Sequence, residues 1–433
     1  MTTRRIPFPT VDEISRHCLE QYEPDTVHIE IHLPGRLDPD RLRTAVREAF
    51  TRHPRILVRQ APVRWWHRSY AWELTAEPDT DPVRFPGGTL ADARRRALTD
   101  APPLEAAPPV RIEVVDAPEG AGCVLVATVH HTALDGPACL RVLATAAELY
   151  GGRDNAPAPV PVRGGGAAPV GAAPPAGSPW ARPARIAAEH TSGAPGLGNG
   201  MYLADLPLPT RPPGSPYTVN DQLLVAACLT AARWNREHGE PDRPVRLTMP
   251  VDDRPRTAEM PIGNGTRLVE VPFGTPGAAV DGDPEAVEAL LRATALRTRA
   301  LKAVPRPQLG RSGALLTAPV LPVGVRAAAA RALRGAAAPW ASTTLLSNLG
   351  RLAYPMDFGD AGRATRAWFS APARMPRGVA LTTISVSRRL QLALRWSRTR
   401  LDDAAGQRLG ELFTRTLAQT AGATPAAGQE ATP

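Results

Sequence analysis

"VATVHHTALDGPACL", residues 126–140, decides how this chain is read. The apolar run Cys123 to Val129 ends in two adjacent histidines, His130 and His131, and Asp135–Gly136 follows across a short turn. Successive residues of a strand face opposite sides, so one imidazole can look into a cleft while the other packs behind it. The turn brings Asp135 back beside them. Gly136 is expected to supply a backbone angle closed to other residues. "GPACLRVLATAAELYG" (136–151) then reads as a helix stopped at Gly151–Gly152. An imidazole at the end of a buried strand, steered by polar neighbours, is a candidate general base. Taken alone, the pair is equally the pattern of satisfied core histidines. No H-E-x-x-H or H-x-x-E-H spacing supports a metal site, and none is expected.

Working outward, "VRIEVVD" (110–116) and "GCVLVATVH" (122–130) read as paired strands. "DTVHIEIHL" (25–33) alternates Val27, Ile29, Ile31 and Leu33 with His28, Glu30 and His32, predicting a half-buried strand with the polar trio in solvent. "LDPDRLRTAVREAFTRHP" (37–54) predicts a helix capped by Asp38, with Pro39 in its first turn. "RILVRQ" and "VRWWHRSYAWEL" read as further strands. From residue 152 to 215 the composition turns to Pro, Gly and Ala, predicting a linker or crossover. Beyond it, a long helix capped by Asn220 or Asp221 is followed by strands at 245–252, 264–273 and 343–350. A hairpin is predicted over 378–396, turning at Ser387–Arg389, with helices at 283–304 and at the C-terminal end. The division predicted is 1–151, 152–215 and 216–433.

The 433 residues suit two sub-domains. The formal charge of +9 is carried by scattered arginines, without a basic block interleaved with aromatics, so nucleic acid is not an expected partner. Cys18, Cys123, Cys139 and Cys228 form no C-x-x-C pair and read as buried free thiols. No leader-like or membrane-spanning run is found, and a cytoplasmic monomer is expected.

The segment H-H-x-x-x-D-G, between a strand and a helix, resembles the signature of the chloramphenicol-acetyltransferase-like superfamily. Its members include condensation domains of nonribosomal peptide synthetases, polyketide-associated acyltransferases and plant BAHD acyltransferases. Four further stretches resemble that family in order: "GRLDPDRLRTAVREAFTRHPRI", "TVNDQLLVAACLTAARW", "MPVDDRPR" with "GNGT", and "SNLGRL" (347–352). The resemblance implies an α+β fold of two similar sub-domains in a V with a central tunnel. A thioester donor, on coenzyme A or on the phosphopantetheine of an acyl or peptidyl carrier protein, would enter from one face. An amine or alcohol acceptor would enter from the other. His131 would be the catalytic base, with His130 and Gly136 structural and Asp135 paired to Arg254. On "TTLLSNLG" one face should line the tunnel, so Ser347 or Asn348 could donate to an oxyanion or merely close the strand end. No tightly bound cofactor is implied, the phosphopantetheine thioester being a co-substrate. The function implied is a free-standing condensation-type acyltransferase of specialised-metabolite biosynthesis. Alternatives are a catalytically silent recruiting module and a cyclisation or epimerisation variant of the same fold.

Overall fold

A computed structural model describes residues 4–20, 22–118, 120, 122–158, 178, 180–191, 195–255, 257, 259–304 and 310–421. Much of the 152–215 segment lies outside the described residues. In chain order the first half runs β1 (Arg4–Pro7), α1 (Thr10–His17), β2 (Thr26–Leu33), α2 (Pro39–Arg52), β3 (Val58–Gln60), β4 (Ala71–Leu74), β5 (Val83–Arg84), α3 (Leu90–Thr99), β6 (Val110–Asp116), β7 (Cys123–His130) and α4 (Gly136–Gly151). The remainder runs β8 (Asn199–Pro207), α5 (Val219–Glu237), β9 (Arg246–Asp252), β10 (Thr266–Pro272), α6 (Pro284–Ala303), α7 (Gly310–Leu316), α8 (Val323–Ala337), β11 (Thr344–Arg351), β12 (Arg366–Ser370), β13 (Val379–Val386), β14 (Arg389–Ser397) and α9 (Asp403–Thr420).

Among the described residues the strands form three sheets, ordered β1-β4-β3, β12-β2-β7-β6-β5 and β10-β9-β11-β13-β14-β8. Helices α2 and α4 pack together over one face of the β2–β7 sheet, and Leu42, Val46, Phe50, Leu140 and Leu143 join Ile29, Ile31 and Leu125 in its core. A second core joins α5 and α9 to β13 and β14 through Leu223, Trp234, Phe413, Leu392 and Trp396. Each such buried aliphatic side chain contributes about 1.5–3 kcal/mol. The local signals behave as physical chemistry dictates. Asp38 accepts from the Arg41 N–H at 2.8 Å with Pro39 behind it, and Asp283 caps α6 in the same way. The β13–β14 hairpin turns at Ser387–Arg388, both with positive φ, which suits the twist of a two-residue hairpin loop.

Strand β12 comes from the second half of the sequence but pairs antiparallel with β2, as the edge of the first half's sheet. Two buried arginines bind the halves further. Arg395 on β14 donates to the Thr26 carbonyl at 2.7 Å, and Arg326 on α8 donates to Glu13 at 2.9 Å.

Several sequence expectations need correction. His28, Glu30 and His32 are buried, not solvated. The period-2 pattern reports one covered face, but α3 covers the other: Arg94 reaches Glu30 with bonds of 2.8 and 2.6 Å, and Trp368 of β12 sits edge-on to His32. Residues 199–207, inside the expected linker, form β8 and pair along the whole of β14. Helix α5 is capped by Thr218 rather than Asn220 or Asp221; Asp221 closes a capping box instead. Of "VRWWHRSYAWEL" only Ala71–Leu74 is a strand, and Trp65 and Trp66 are exposed. Cys18 is half-buried on the wall of the central cavity, unlike the other three thiols.

Candidate active site

Strand β7 delivers its two histidines as its alternation requires. His131 lines a cavity of about 680 Å³ between the halves, whereas His130 is buried behind it. The His131 N–H donates to the Asp25 carbonyl at 2.8 Å, fixing the backbone at the strand end. Its ring Nδ1 lies 3.2 Å from the Leu134 carbonyl oxygen. A carbonyl can only accept, so Nδ1 carries the proton and Nε2 keeps a lone pair, the tautomer of a base.

Asp135 does not touch the imidazoles. It caps α4, accepting from the Ala138 N–H at 3.0 Å, and accepts from Gly265 and Thr266 N–H at 2.9 and 3.3 Å. Arg254 Nη2 reaches its two carboxylate oxygens at 2.9 and 2.7 Å. Arg254 also holds Asp252 through Nε at 2.8 Å and the Gly263 carbonyl at 3.1 Å. Burial works against the Arg254 charge, but the hydrogen bond it donates to Asp252 and the charge of Asp135 outweigh it and hold the guanidinium above its ordinary pKa. Gly265 is required here, because a Cβ would stand 2.3 Å from Arg254 Nε. Gly136 is not: it has no positive φ, and its added Cβ would make only ordinary contacts with Phe369 and Val27. The expectation of a special backbone angle there is overturned, since the residue already sits in the first turn of α4. It instead lines the cavity.

Residues the sequence did not single out complete the loop. Asn264 donates to the carbonyls of His131 and Thr132 at 3.1 and 2.9 Å and to Asp12 at 3.0 Å, tying the β9–β10 turn and α1 to the histidine loop. The "GNGT" motif contained this signal, but its role needed the fold. Asp25 accepts from Thr132 Oγ1 at 3.0 Å and from Ser15 Oγ at 3.1 Å, and is ion-paired with Arg374. Burial opposes its charge, yet Arg374 and the nearby imidazoles hold its carboxyl far below the usual range. On β11 the alternate residues Leu345, Ser347, Leu349 and Arg351 line the cavity while Leu346 is in the second core. Asn348 also reaches the wall, but its Oδ1 accepts from Thr383 Oγ1 at 3.1 Å and from the Gly350 N–H at 2.8 Å. Ser347 is thus the freer of the two.

Beyond His131 the wall is apolar, made by Val27, Leu140, Leu352, Phe369 and Ile384. Among the described residues no group of three or more His, Cys, Asp or Glu could hold a metal ion, and no helix is long and apolar enough to cross a membrane.

The buried histidine gives a pH prediction. Burial, offset only in part by Asp25, pushes His130 from its ordinary 6.5 down to about 4. Between those values the unfolded chain binds a proton that the folded chain refuses, so stability falls as pH falls from 6.5 toward 4, by up to about 3 kcal/mol. Melting temperatures across that window should drop toward acid, and less steeply in His130→Gln. Equal slopes would contradict the assignment.

No protein-family model matches the chain. It is 28% identical over 384 residues to the uncharacterized protein Rv2305 of Mycobacterium tuberculosis, covering 82% of this chain and 86% of that one. Among solved structures it superposes on the condensation domain of the Monacolin K polyketide synthase MokA with a TM-score of 0.61 at 15% identity, covering 96% of this chain and 97% of that one. The first condensation domain of the CDA synthetase gives 0.61 at 15% identity, over 97% and 96%. A mutant starter condensation domain of rhizomide synthetase RzmA, in complex with C8-CoA, gives 0.63 at 15% identity, over 97% and 95%. With mixed sheets and helices in both halves and the histidine loop at their junction, this chain has the α+β, chloramphenicol-acetyltransferase-like fold of condensation domains.

Proposed function

We propose that the protein is a condensation-type acyltransferase that joins a thioester-activated acyl group to an amine or alcohol, with His131 as general base. The observation that carries this reading is the His131 tautomer: Nδ1 is committed to the Leu134 carbonyl and the ring lines the cavity between the halves. The acceptor's N–H or O–H would give its proton to Nε2 as the nucleophile attacks the thioester carbonyl. The tetrahedral centre would then collapse, expelling the thiolate, which recovers a proton. Nothing in this sequence requires an acyl-enzyme. Positioning two reactants in one cavity can supply about 7–11 kcal/mol. Ser347 is the candidate donor to the oxyanion. Asp135, Arg254 and His130 shape the loop. The donor is carried on coenzyme A or on a carrier protein, and the acceptor is a small molecule.

The test is intact-mass spectrometry of an acyl-loaded carrier protein, and in parallel acyl-coenzyme A, with a mixed amine and alcohol pool. Loss of acyl from the donor with a new product mass, absent in His131→Ala, supports transfer. Carrier binding without transfer, unchanged by that substitution, would favour a recruiting module instead. Asn264→Ala removes the bonds that hold the His131 and Thr132 carbonyls, at about 1–3 kcal/mol for the groups left unsatisfied. It is expected to lower both melting temperature and kcat while changing KM less; an unchanged kcat would contradict its positioning role.

A further inference from the structure

Among the polar residues that line the cavity stands Arg377. Its half-buried side chain lines the cavity, yet it has no hydrogen bond or ion pair among the described residues. The arginines around it are already engaged. Arg374 holds Asp25 and Ser15. Arg334 donates to the carbonyls of Cys18 and Met375 and lies 3.3 Å from Glu20. Arg185 donates to the carbonyls of Pro376 and Ala338. Most of these partners are neutral carbonyls, so positive charge is in excess. Glu270 is the acidic group that acts on Arg377 from across the cavity, and it is exposed and lies 3.6 Å from Arg246. Burial first, then the like charges of Arg374, Arg334 and Arg185, push Arg377 down to about 10. A partly dehydrated guanidinium without a carboxylate of its own is costly to hold. An incoming anion relieves that cost and gains charge-assisted, bidentate hydrogen bonds.

The sheet provides a ruler. Thr266, Leu268 and Glu270 line the cavity along β10, opposite Asp252, Pro250 and Thr248 on β9. Thr266 lies beside Asp135 and the histidine loop, while Glu270 lies toward Arg377. At the rise of an antiparallel strand, the four-residue step from Thr266 to Glu270 spans about 14 Å. An anion at Arg377 therefore lies toward the Glu270 end of β10 rather than at Thr266.

We propose that Arg377, flanked by Arg374 and Arg334, binds an anionic oxygen group, phosphate or carboxylate, carried at the far end of a substrate whose reacting atom lies at His131. The placement of the reacting atom rests on the acyl-transfer reading, but the anion site does not. The phosphate source would be the donor's phosphopantetheine; the carboxylate source would be the acceptor.

The test is calorimetric titration of the full chain at low salt with coenzyme A against pantetheine, and with ε-aminohexanoate against its amide. The native protein should prefer the anionic member of one pair by about tenfold, the effect of one charge-assisted hydrogen bond. Arg377→Ala should lose that preference and Arg377→Lys should keep part of it, with melting temperatures near native. Preference for coenzyme A assigns the site to the donor; preference for the acid assigns it to the acceptor. Absence of both preferences, or a preference that survives in Arg377→Ala, overturns the proposal. Should Arg377→Ala fail to fold, the comparison is read on Arg377→Lys alone, where a full native preference overturns it. A preference lost in the variant, with no transfer by the native protein in any mass-spectrometric assay, would keep the anion site and remove the acyl-transfer reading.

Discussion

His131→Ala is expected to melt with the native protein and to lose about 10²–10⁴ of the transfer rate. Among the described residues the side chain makes one hydrogen bond, from Nδ1 to the Leu134 carbonyl, and the loop is held by main-chain and Asn264 contacts that survive truncation. What is removed is the proposed proton acceptor at the cavity wall. The loss should fall on kcat rather than on donor KM, because the imidazole meets the acceptor's proton as the bond forms. Single-turnover transfer from an acyl-loaded donor, followed by mass spectrometry, measures it. A rate within threefold of native would remove His131 from the chemistry.

Asp135→Ala and Arg254→Ala should behave otherwise. Each is expected to cost about 3–5 kcal/mol of stability: Arg254→Ala leaves the buried Asp135 carboxylate without its counter-charge, and Asp135→Ala strips Arg254 of one of its two carboxylates and α4 of its cap. Asp135 is 2% exposed and serves as helix cap and acceptor for Gly265 and Thr266 N–H as well as for the guanidinium. Arg254 would also abandon Asp252 and two main-chain carbonyls of the β9–β10 turn. Activity would fall through displacement of the loop that carries His131. Denaturant unfolding of both variants beside His131→Ala separates the cases: destabilised pair variants and a native-like His131→Ala are the expected pattern. Equal stabilities for all three would sink this account of the pair. A double variant should be less destabilised than the sum of the singles, since both changes remove the same ion pair.

How far the sequence could be read follows from how each contact is made. The histidine loop was legible because strand, turn, Asp cap and helix are contiguous, so local geometry alone sets them. Arg254 and the glycine of "GNGT" were legible as motifs, although the 2.3 Å clearance that demands Gly265 is visible only when the arginine lies on it. Asp25, Arg374 and Arg377 were not legible. They sit in irregular segments, and β12, borrowed from the second half, leads into the 371–378 loop that lines the cavity. The buried trio on β2 misled for a related reason: alternation reveals one covered face and is silent on whether a helix will later cover the other. Strand β8 escaped notice because it follows a Pro- and Gly-rich tract and takes its order from β14.

The borrowed edge strand also limits how the protein can breathe. Were the two halves merely leaning together, the cleft could gape like a jaw and admit bulky reactants sideways. Here five residues of one half are knitted into the other's sheet, with Arg395 and Arg326 as rivets on either side. Opening the jaw would mean unzipping a ladder. Reactants of the proposed transfer would then thread in lengthwise, and its turnover is expected to be sensitive to the girth of what is threaded and tolerant of its length.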